Sequence, residues 1–474
     1  MMLSCILMES GSMSSSVTQR LRALAVVASP GDRLPSVRTL MRDWRVSPVT
    51  VQRALDTLSR EGVLDARPGR GTFVTAREPP PPEVADYGWQ SLVLGPARDT
   101  TNGMAANAHP HPAETRQLQM GYLPAALQPG VLLAAAAQRA LRRPGVWDRS
   151  PAAGFDVLRA WFAAGTGGAF KPHDVVICPG SQAAIATTFR ALAQPGEAVL
   201  MESPTYYGAI AAARAAGLRP VPVPTDADGV VPELLDEAFR RSGARLFFCQ
   251  PTFSNPAGTV LPPERRAAVL AIAERHGAFV VEDDWARDFA LDGDAPPPLA
   301  AADRVGHVVY LRSLTKSAAP SLRIGALCAR GPAGDRLRAA RQVDDFFVPG
   351  LMQETALQLV TAAAWPRHLR ALRVALKRNR DLLAGSLRRH LGEHARFVLP
   401  PGGLHLWLRL PEGRLDTEAA AMTQAAGVVV TAGHHAFPAE PPAGFLRLSY
   451  AMLEPDWVDA AVRTVADAVL FRLR

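Results

Sequence analysis

The chain has 474 residues, 48% apolar and 20% charged, with a net charge of +8; that is length for about three domains and for a core that needs no staples. Its four cysteines, Cys5, Cys178, Cys249 and Cys328, lie far apart, three of them in apolar runs, which fits neither a disulfide framework nor a zinc site and reads as buried thiols in a reducing cytoplasm. No apolar stretch reaches the ~20 residues that span a bilayer, and Met1 to Met8 is short and lacks the positive lead of a signal peptide, with Met13 as an alternative start; these features argue against membrane, secreted, fibrous and disordered classes.

The positive charge is concentrated. Residues Ser14 to Arg77 hold 11 arginines against 5 acidic residues, whereas the other 410 residues carry only +2. A small basic piece on a near-neutral large one points to a nucleic-acid-binding end, although an Arg-rich composition with a chance cluster gives the same count. Lysine is scarce: Lys171, Lys316 and Lys377 stand against 49 arginines. A chain that uses Arg for generic positive charge keeps Lys where the amine must lose its proton.

In the first module, residues 14–77, a helix is predicted from Val17 to Ala28 with Leu21, Leu24, Ala25 and Ala28 on its apolar face. Pro30-Gly31 stops it. Ser36 is the N-cap of a second helix whose stripe is Val37, Leu40, Met41 and Trp44. After a tight turn at Arg45-Val46, Ser47-Pro48 opens a third helix with Val51, Ala54, Leu55 and Leu58 inward and Thr50, Gln52 and Arg53 free. Gly62 ends it, and strands Val63 to Arg67 and Thr72 to Thr75 flank Pro68-Gly69-Arg70-Gly71. This is the order of a winged helix-turn-helix. Its third helix would enter the major groove, its amides and the Ser47 hydroxyl would meet a phosphate, Arg53 would contact guanine or phosphate, and Arg70 would reach the adjacent backbone or minor groove. Periodicity alone also permits a small structural helical domain with solvated arginines.

The string PGDRLPSVRTLMRDWRVSPVTVQRALDTLSREGVLDARPGRGTFV resembles the DNA-binding domain of the GntR family of bacterial repressors nearly from end to end. The resemblance adds the basic residue after Leu34-Pro35-Ser36, namely Arg38, and the commonly basic Arg33. The candidate DNA contacts are therefore Arg33, Ser36, Arg38, Ser47, Thr50, Gln52, Arg53 and Arg70. Pro48 stands where many members carry Arg, which removes a base contact and leaves the operator sequence open. Residues 78–115 begin with the stiff Glu78-Pro79-Pro80-Pro81-Pro82-Glu83, show no periodicity and read as a tether.

The second module, residues 116–474, contains seven short apolar runs alternating with helical patterns: Val175–Cys178, Ala198–Met201, Pro220–Val223, Leu246–Cys249, Phe279–Val281, Val308–Leu311 and Ile324–Cys328. They predict an α/β domain with a mostly parallel seven-stranded sheet covered on both faces, whose ligand lies beyond the strand carboxyl ends. The polar segments fall there. Gly180-Ser181-Gln182 opens a helix and can cradle a phosphate, with Ser313 and Arg323 offering a hydroxyl and a charge to the same anion. Tyr206 offers a face to a flat ring, Asn255 a donor to a ring oxygen, Asp283 a carboxylate to a protonated ring nitrogen, and Lys316 an amine that condenses with an aldehyde. Each alone has an ordinary structural explanation, as a cap, a packing ring, a surface charge or a turn; together they describe a site for pyridoxal 5′-phosphate (PLP).

PTFSNPAG, VVEDDWARDF and SLTKSAAPSLRIG resemble the fold-type I aminotransferases, a resemblance that covers nearly all of residues 116–474. It implies Lys316 as the Schiff-base lysine, Asp283 as the pyridinium partner, and, from FLRLSYA, Arg447 as the holder of an effector or substrate carboxylate. It also implies a smaller α+β domain from about residue 350, where Leu404, Leu406, Leu408 and Leu410 alternate in a strand. Trp285 stands nearest to the position of a family Tyr that bonds the ring oxygen. Trp147 is the nearest candidate for an aromatic residue usual before Gly154. The two resemblances in this order are similar to the MocR/PdxR-like subfamily of GntR regulators. The implied protein is a PLP-dependent transcription factor that binds double-stranded DNA at operator half-sites as a head-to-tail homodimer and senses an amino compound, or PLP itself, by imine exchange at Lys316. The alternative is a catalytically active aminotransferase carrying a DNA-binding domain, and whether turnover occurs stays open at this point.

Overall fold

The computed structural model describes residues 16–75, 87–94, 112 and 114–471. The polyproline segment and most of the tether, with Cys5 and Met13, lie outside the described residues. The chain divides into two compact units after residue 97.

The N-terminal unit has three helices, α1 (16–27), α2 (Val37–Trp44) and α3 (Pro48–Arg60), then β1 (Leu64–Arg67) and β2 (Gly71–Val74) in an antiparallel hairpin. Capping chemistry sets the helix starts. Ser36 Oγ accepts from Thr39 N and Ser47 Oγ from Thr50 N, both at 3.2 Å, and Pro48 occupies the first turn of α3. Arg45, with φ of 55°, makes the turn between α2 and α3. Val51, Ala54, Leu55 and Leu58 are buried, as the stripe predicts. On α1 the buried line is Val17, Leu21 and Ala25, spaced by four, while Leu24 lies on the flank and is exposed. Residues 31–34 lie along β2 through an isolated bridge between Arg33 and Phe73, which periodicity could not show: Leu34 N donates to Thr72 O and Val74 N to Asp32 O. Within the stretch read as a tether, Gly88–Leu94 forms a helix, α4, with Trp89, Leu92, Val93 and Leu94 exposed.

The C-terminal unit contains β3 (Arg116–Gln117), β4 (Val175–Cys178), β5 (Ala198–Ser203), β6 (Arg219–Asp226), β7 (Gly229–Val230), β8 (Leu246–Cys249), β9 (Phe279–Asp283), β10 (Val308–Ser313) and β11 (Gly325–Cys328). Toward the C-terminus follow β12 (His405–Arg409), β13 (Val428–Val429), β14 (Thr431–Ala432) and β15 (Phe445–Ser449). The large sheet has eight strands in the order β4-β11-β10-β9-β8-β5-β6-β7. The expected seven are all there. The eighth, β7, turns back on the end of β6 and is too short to show as an apolar run. The central strands pair in parallel, and β11 is antiparallel to both β10 and β4. Cores form on both faces: Leu200, Phe247, Val280 and Tyr310 on one, Val199, Met201, Phe248 and Leu311 on the other. This is why the runs are continuous rather than alternating.

The smaller subdomain packs β12-β15-β14 against helices Trp365–Leu391 and Pro455–Val469. Leu404, Leu406, Leu408 and Leu410 all point into its core. That subdomain also takes in the start of the module: β3 pairs in parallel with β13, and Leu118 and Leu123 join the same core. No helix among the described residues is long and apolar enough to cross a membrane.

Candidate functional site

Loops at the carboxyl ends of β4, β5, β8, β9 and β10, the arm 119–122 and the cleft face of the small sheet enclose a cavity of about 430 Å³. Ser181, Gln182, Tyr206, Asn255, Asp283, Trp285, Ser313, Lys316, Arg323 and Arg447 all line it. Gly180 lies immediately behind this lining. Its φ of 88° and the 2.7 Å from a built Cβ to Arg323 Nη2 leave no room for a side chain.

Each group is held by its element. Gly180 caps the helix Ser181–Leu192, whose first turn carries no acid and whose first two residues line the cavity, a helix start suited to an anion. Ser313 Oγ, at the end of β10, donates to Thr315 Oγ1 at 2.8 Å and accepts from Thr315 N. Arg323 reaches back to Pro179 O at 2.7 Å, and among the described residues no carboxylate pairs with it. At the end of β9, Asp283 is buried. Its Oδ2 accepts from Gln250 Nε2 at 2.8 Å, and burial pushes its carboxyl up to about 7 against the opposing pull of Gln250 and the nearby Ser181 hydroxyl. Gln250 ties the site together. Its Oε1 accepts from Asn255 N, and its own N donates to Glu202, another carboxyl raised by burial to about 7.

Lys316 Nζ donates to Gly121 O at 2.6 Å and lies 3.6 Å from the centre of the Tyr122 ring. Burial, reinforced by the positive charges of Arg447 and Arg323, lowers its pKa to about 7, so the neutral, nucleophilic amine is abundant at neutral pH. Arg447 is buried. It donates to Asn255 Oδ1 (3.1 Å), Gln119 O (3.0 Å) and Thr431 Oγ1 (3.2 Å), its Nε is unpartnered, and among the described residues no carboxylate pairs with it. A buried guanidinium without a counter-charge is a receptor for an anion.

Two aromatic residues sit differently from their sequence expectation. Trp285 lines the cavity, but its indole N–H donates to Phe253 O at 3.1 Å and so is not available to a ring oxygen. Trp147 is exposed and is not part of the lining. Gln119, Met120, Gly121, Tyr122, Tyr207, Gln250, Thr315 and His405 line the cavity without having been singled out. The arm residues belong to no motif, and they reach the site only because β3 docks on β13.

These atoms suit PLP. A buried carboxylate at the end of β9, the Ser181 hydroxyl at a helix start without an acid, and a buried lysine of lowered pKa match the ring nitrogen, phosphate and aldehyde of that group. Fold and site define a fold-type I PLP-dependent body.

In the head, Arg33, Ser36, Arg38, Ser47, Gln52, Arg53 and Arg70 are exposed and Thr50 is half-buried. Gln52 Nε2 donates to Asp56 Oδ1, and Thr50 Oγ1 shares a hydrogen bond with Ser47 Oγ. Arg53 and Arg70 have no ion-pair partner among the described residues.

The chain belongs to the aminotransferase class I and II family, whose model matches residues 125–465, and it carries at residues 14–74 a match to the bacterial regulatory proteins of the gntR family. It is 27% identical to the probable rhizopine catabolism regulatory protein MocR of Rhizobium meliloti, over 95% of this chain and 92% of that one. It is 28% identical to the HTH-type transcriptional regulator TauR of Rhodobacter capsulatus, over 93% and 92%. The structure of LysN, an α-aminoadipate aminotransferase from Thermus thermophilus complexed with N-(5′-phosphopyridoxyl)-L-leucine, superposes with a TM-score of 0.72 at 29% identity, over 76% of this chain and 93% of that one. The protein is a PLP-dependent transcriptional regulator of the MocR type; the reading as an aminotransferase with an incidental DNA-binding domain is not favoured, because the regulators align over both units.

Proposed function

We propose that this regulator senses a small amino compound, or PLP itself, at Lys316 and transmits its occupancy to a winged-helix head on operator DNA. The observation that carries the reading is the pairing, in one cavity, of a lysine amine with a buried guanidinium that has no carboxylate partner among the described residues. Bound PLP supplies an aldehyde that exchanges between the lysine amine and an incoming amine. The chain's own residues do the rest. Ser181, Gln182, Ser313 and Arg323, with the Gly180 turn, hold the phosphate. Asp283, oriented by Gln250, holds the proton on the ring nitrogen. Tyr206 and Trp285 would bound the ring, and Asn255, whose Oδ1 is engaged by Arg447, would keep its Nδ2 for the ring oxygen. Arg447 takes the carboxylate of the amino compound.

In the head, Arg33, Ser36, Arg38, Ser47, Thr50, Gln52, Arg53 and Arg70 contact DNA. The protein acts in the cytoplasm as a head-to-tail homodimer whose two heads read two half-sites. A ligand shifts the heads only through a difference in its affinity for two states of the body.

The test joins spectrum and footprint. The PLP-loaded protein should show an imine absorption band that Lys316→Ala abolishes, and it should protect its upstream promoter with an effector-dependent footprint. Robust turnover of amino donors and keto acids without any footprint would overturn the regulator reading, and a band unchanged in Lys316→Ala would overturn the lysine assignment.

A further inference from the structure

We infer that His405 selects the side chain of the effector, and that the effector class is an amino acid whose side chain ends in an uncharged or anionic hydrogen-bonding group. This rests on the reading that Lys316 takes the amine and Arg447 the carboxylate.

The strand period places it. In β12, Leu404, Leu406 and Leu408 fill the subdomain core, so His405 and Trp407 lie on the opposite face. Trp407 pairs with Arg447, and His405 with Ser449. Directly opposed residues share a face, and diagonal ones stay within reach of long side chains. His405 therefore stands on the cleft face beside the carboxylate-binding guanidinium. Its ring stacks on Trp285 at 5.7 Å and 23°. A methyl group built on Gly121 would lie 2.8 Å from His405 Cε1, 3.1 Å from its Nε2 and 3.6 Å from Lys316 Nζ. Imidazole and amine thus meet across a residue that has no side chain to separate them. A ligand bridging Lys316 and Arg447 passes this ring.

His405 is 4% exposed, and its buried Nδ1 has no hydrogen-bond partner among the described residues. An apolar ring would fill the same space without leaving a nitrogen unpaired. Gln119 repeats the pattern. It lines the cavity at 2% exposure, and among the described residues neither its Oε1 nor its Nε2 has a partner. It sits on the arm whose carbonyls hold Arg447 and Lys316. Two neutral hydrogen-bonding side chains beside the Arg447 guanidinium favour an oxygen-bearing side chain, leave an apolar one unable to satisfy them, and offer a cationic one no counter-charge.

The experiment titrates PLP-loaded, full-length protein with L-glutamine, L-glutamate, L-norleucine and L-lysine, following the visible absorption change. Glutamine and glutamate should bind at least about tenfold more tightly than norleucine and lysine. His405→Phe should bring glutamine and norleucine within about twofold of each other, whereas His405→Gln, which keeps a donor and an acceptor, should retain the preference. Gln119→Leu should narrow the same ratio, so the inference stays testable if His405→Phe does not fold. It is overturned if wild-type protein binds norleucine or lysine as tightly as glutamine, or if His405→Phe and Gln119→Leu keep the wild-type ratio. It is equally overturned if they shift all four constants together, as a structural role would. A wild-type protein that takes up no PLP fails at the earlier reading instead.

Discussion

At the residue scale, Lys316 shows how burial creates reactivity. With its pKa lowered to about 7, the amine is protonated and inert in acid and becomes nucleophilic as pH rises through neutrality. The rate of PLP attachment, followed by absorbance, should therefore rise with pH and level off above an inflection near 7; an inflection near the ordinary lysine value would contradict the buried setting. Asp283→Asn removes the charge that holds a protonated ring nitrogen. A charge-assisted hydrogen bond is worth about 1.5–3 kcal/mol, so PLP affinity should fall by roughly ten- to hundredfold, measurable by equilibrium dialysis. The residues with reactive groups were legible in the sequence because they sit in short strings at strand ends and because lysine is so rare. Those that orient them were not. Gln250 is one polar residue after an apolar run, and nothing local shows that its amide bridges Asp283 and Asn255. Trp285 illustrates the converse: its position was readable, but not that Phe253 O consumes its N–H.

At the element scale, the helix starts were written in side chains. Ser47 followed by Pro48 is a local signal, and the cap forms as the signal requires. Ser47→Ala should cost about 1 kcal/mol, seen as roughly fivefold faster hydrogen exchange in the first turn of α3. Gly180 depends on contacts from afar. Its backbone is left-handed, and a Cβ there meets Arg323 and Thr315. Gly180→Ala should therefore weaken phosphate capture, and the loss of PLP affinity should exceed any loss from Ser181→Ala. The strands of the large sheet were readable because they are buried on both faces. By contrast, β3, β7, β13 and β14 have two residues each. Pairing with distant chain defines them, and no pattern two residues long can announce that.

For the whole molecule, charge is divided between two tasks. The basic head answers to a polyanion, so DNA affinity should fall steeply and linearly on a log–log plot against salt, and Arg38→Ala or Arg70→Ala should each lower the slope by about 1. The hydrophobic core of the head draws only on residues from Val17 to Val74, separate from the three cores of the body. PLP should accordingly raise hydrogen-exchange protection in β4 to β11 and leave α1 to α3 unchanged when DNA is absent.

The docking of β3 on β13 has a mechanical consequence. Gln119 O is gripped by Arg447 and Gly121 O by Lys316, while Leu118 N is bound to Val429 O. The stretch 116–122 is thus also a wall of the cavity that holds Lys316 and Arg447. A molecule that takes the lysine amine or draws the arginine to itself must therefore break a bond to this arm, and the docking of β3 on β13 is the first contact to register that the cavity is filled.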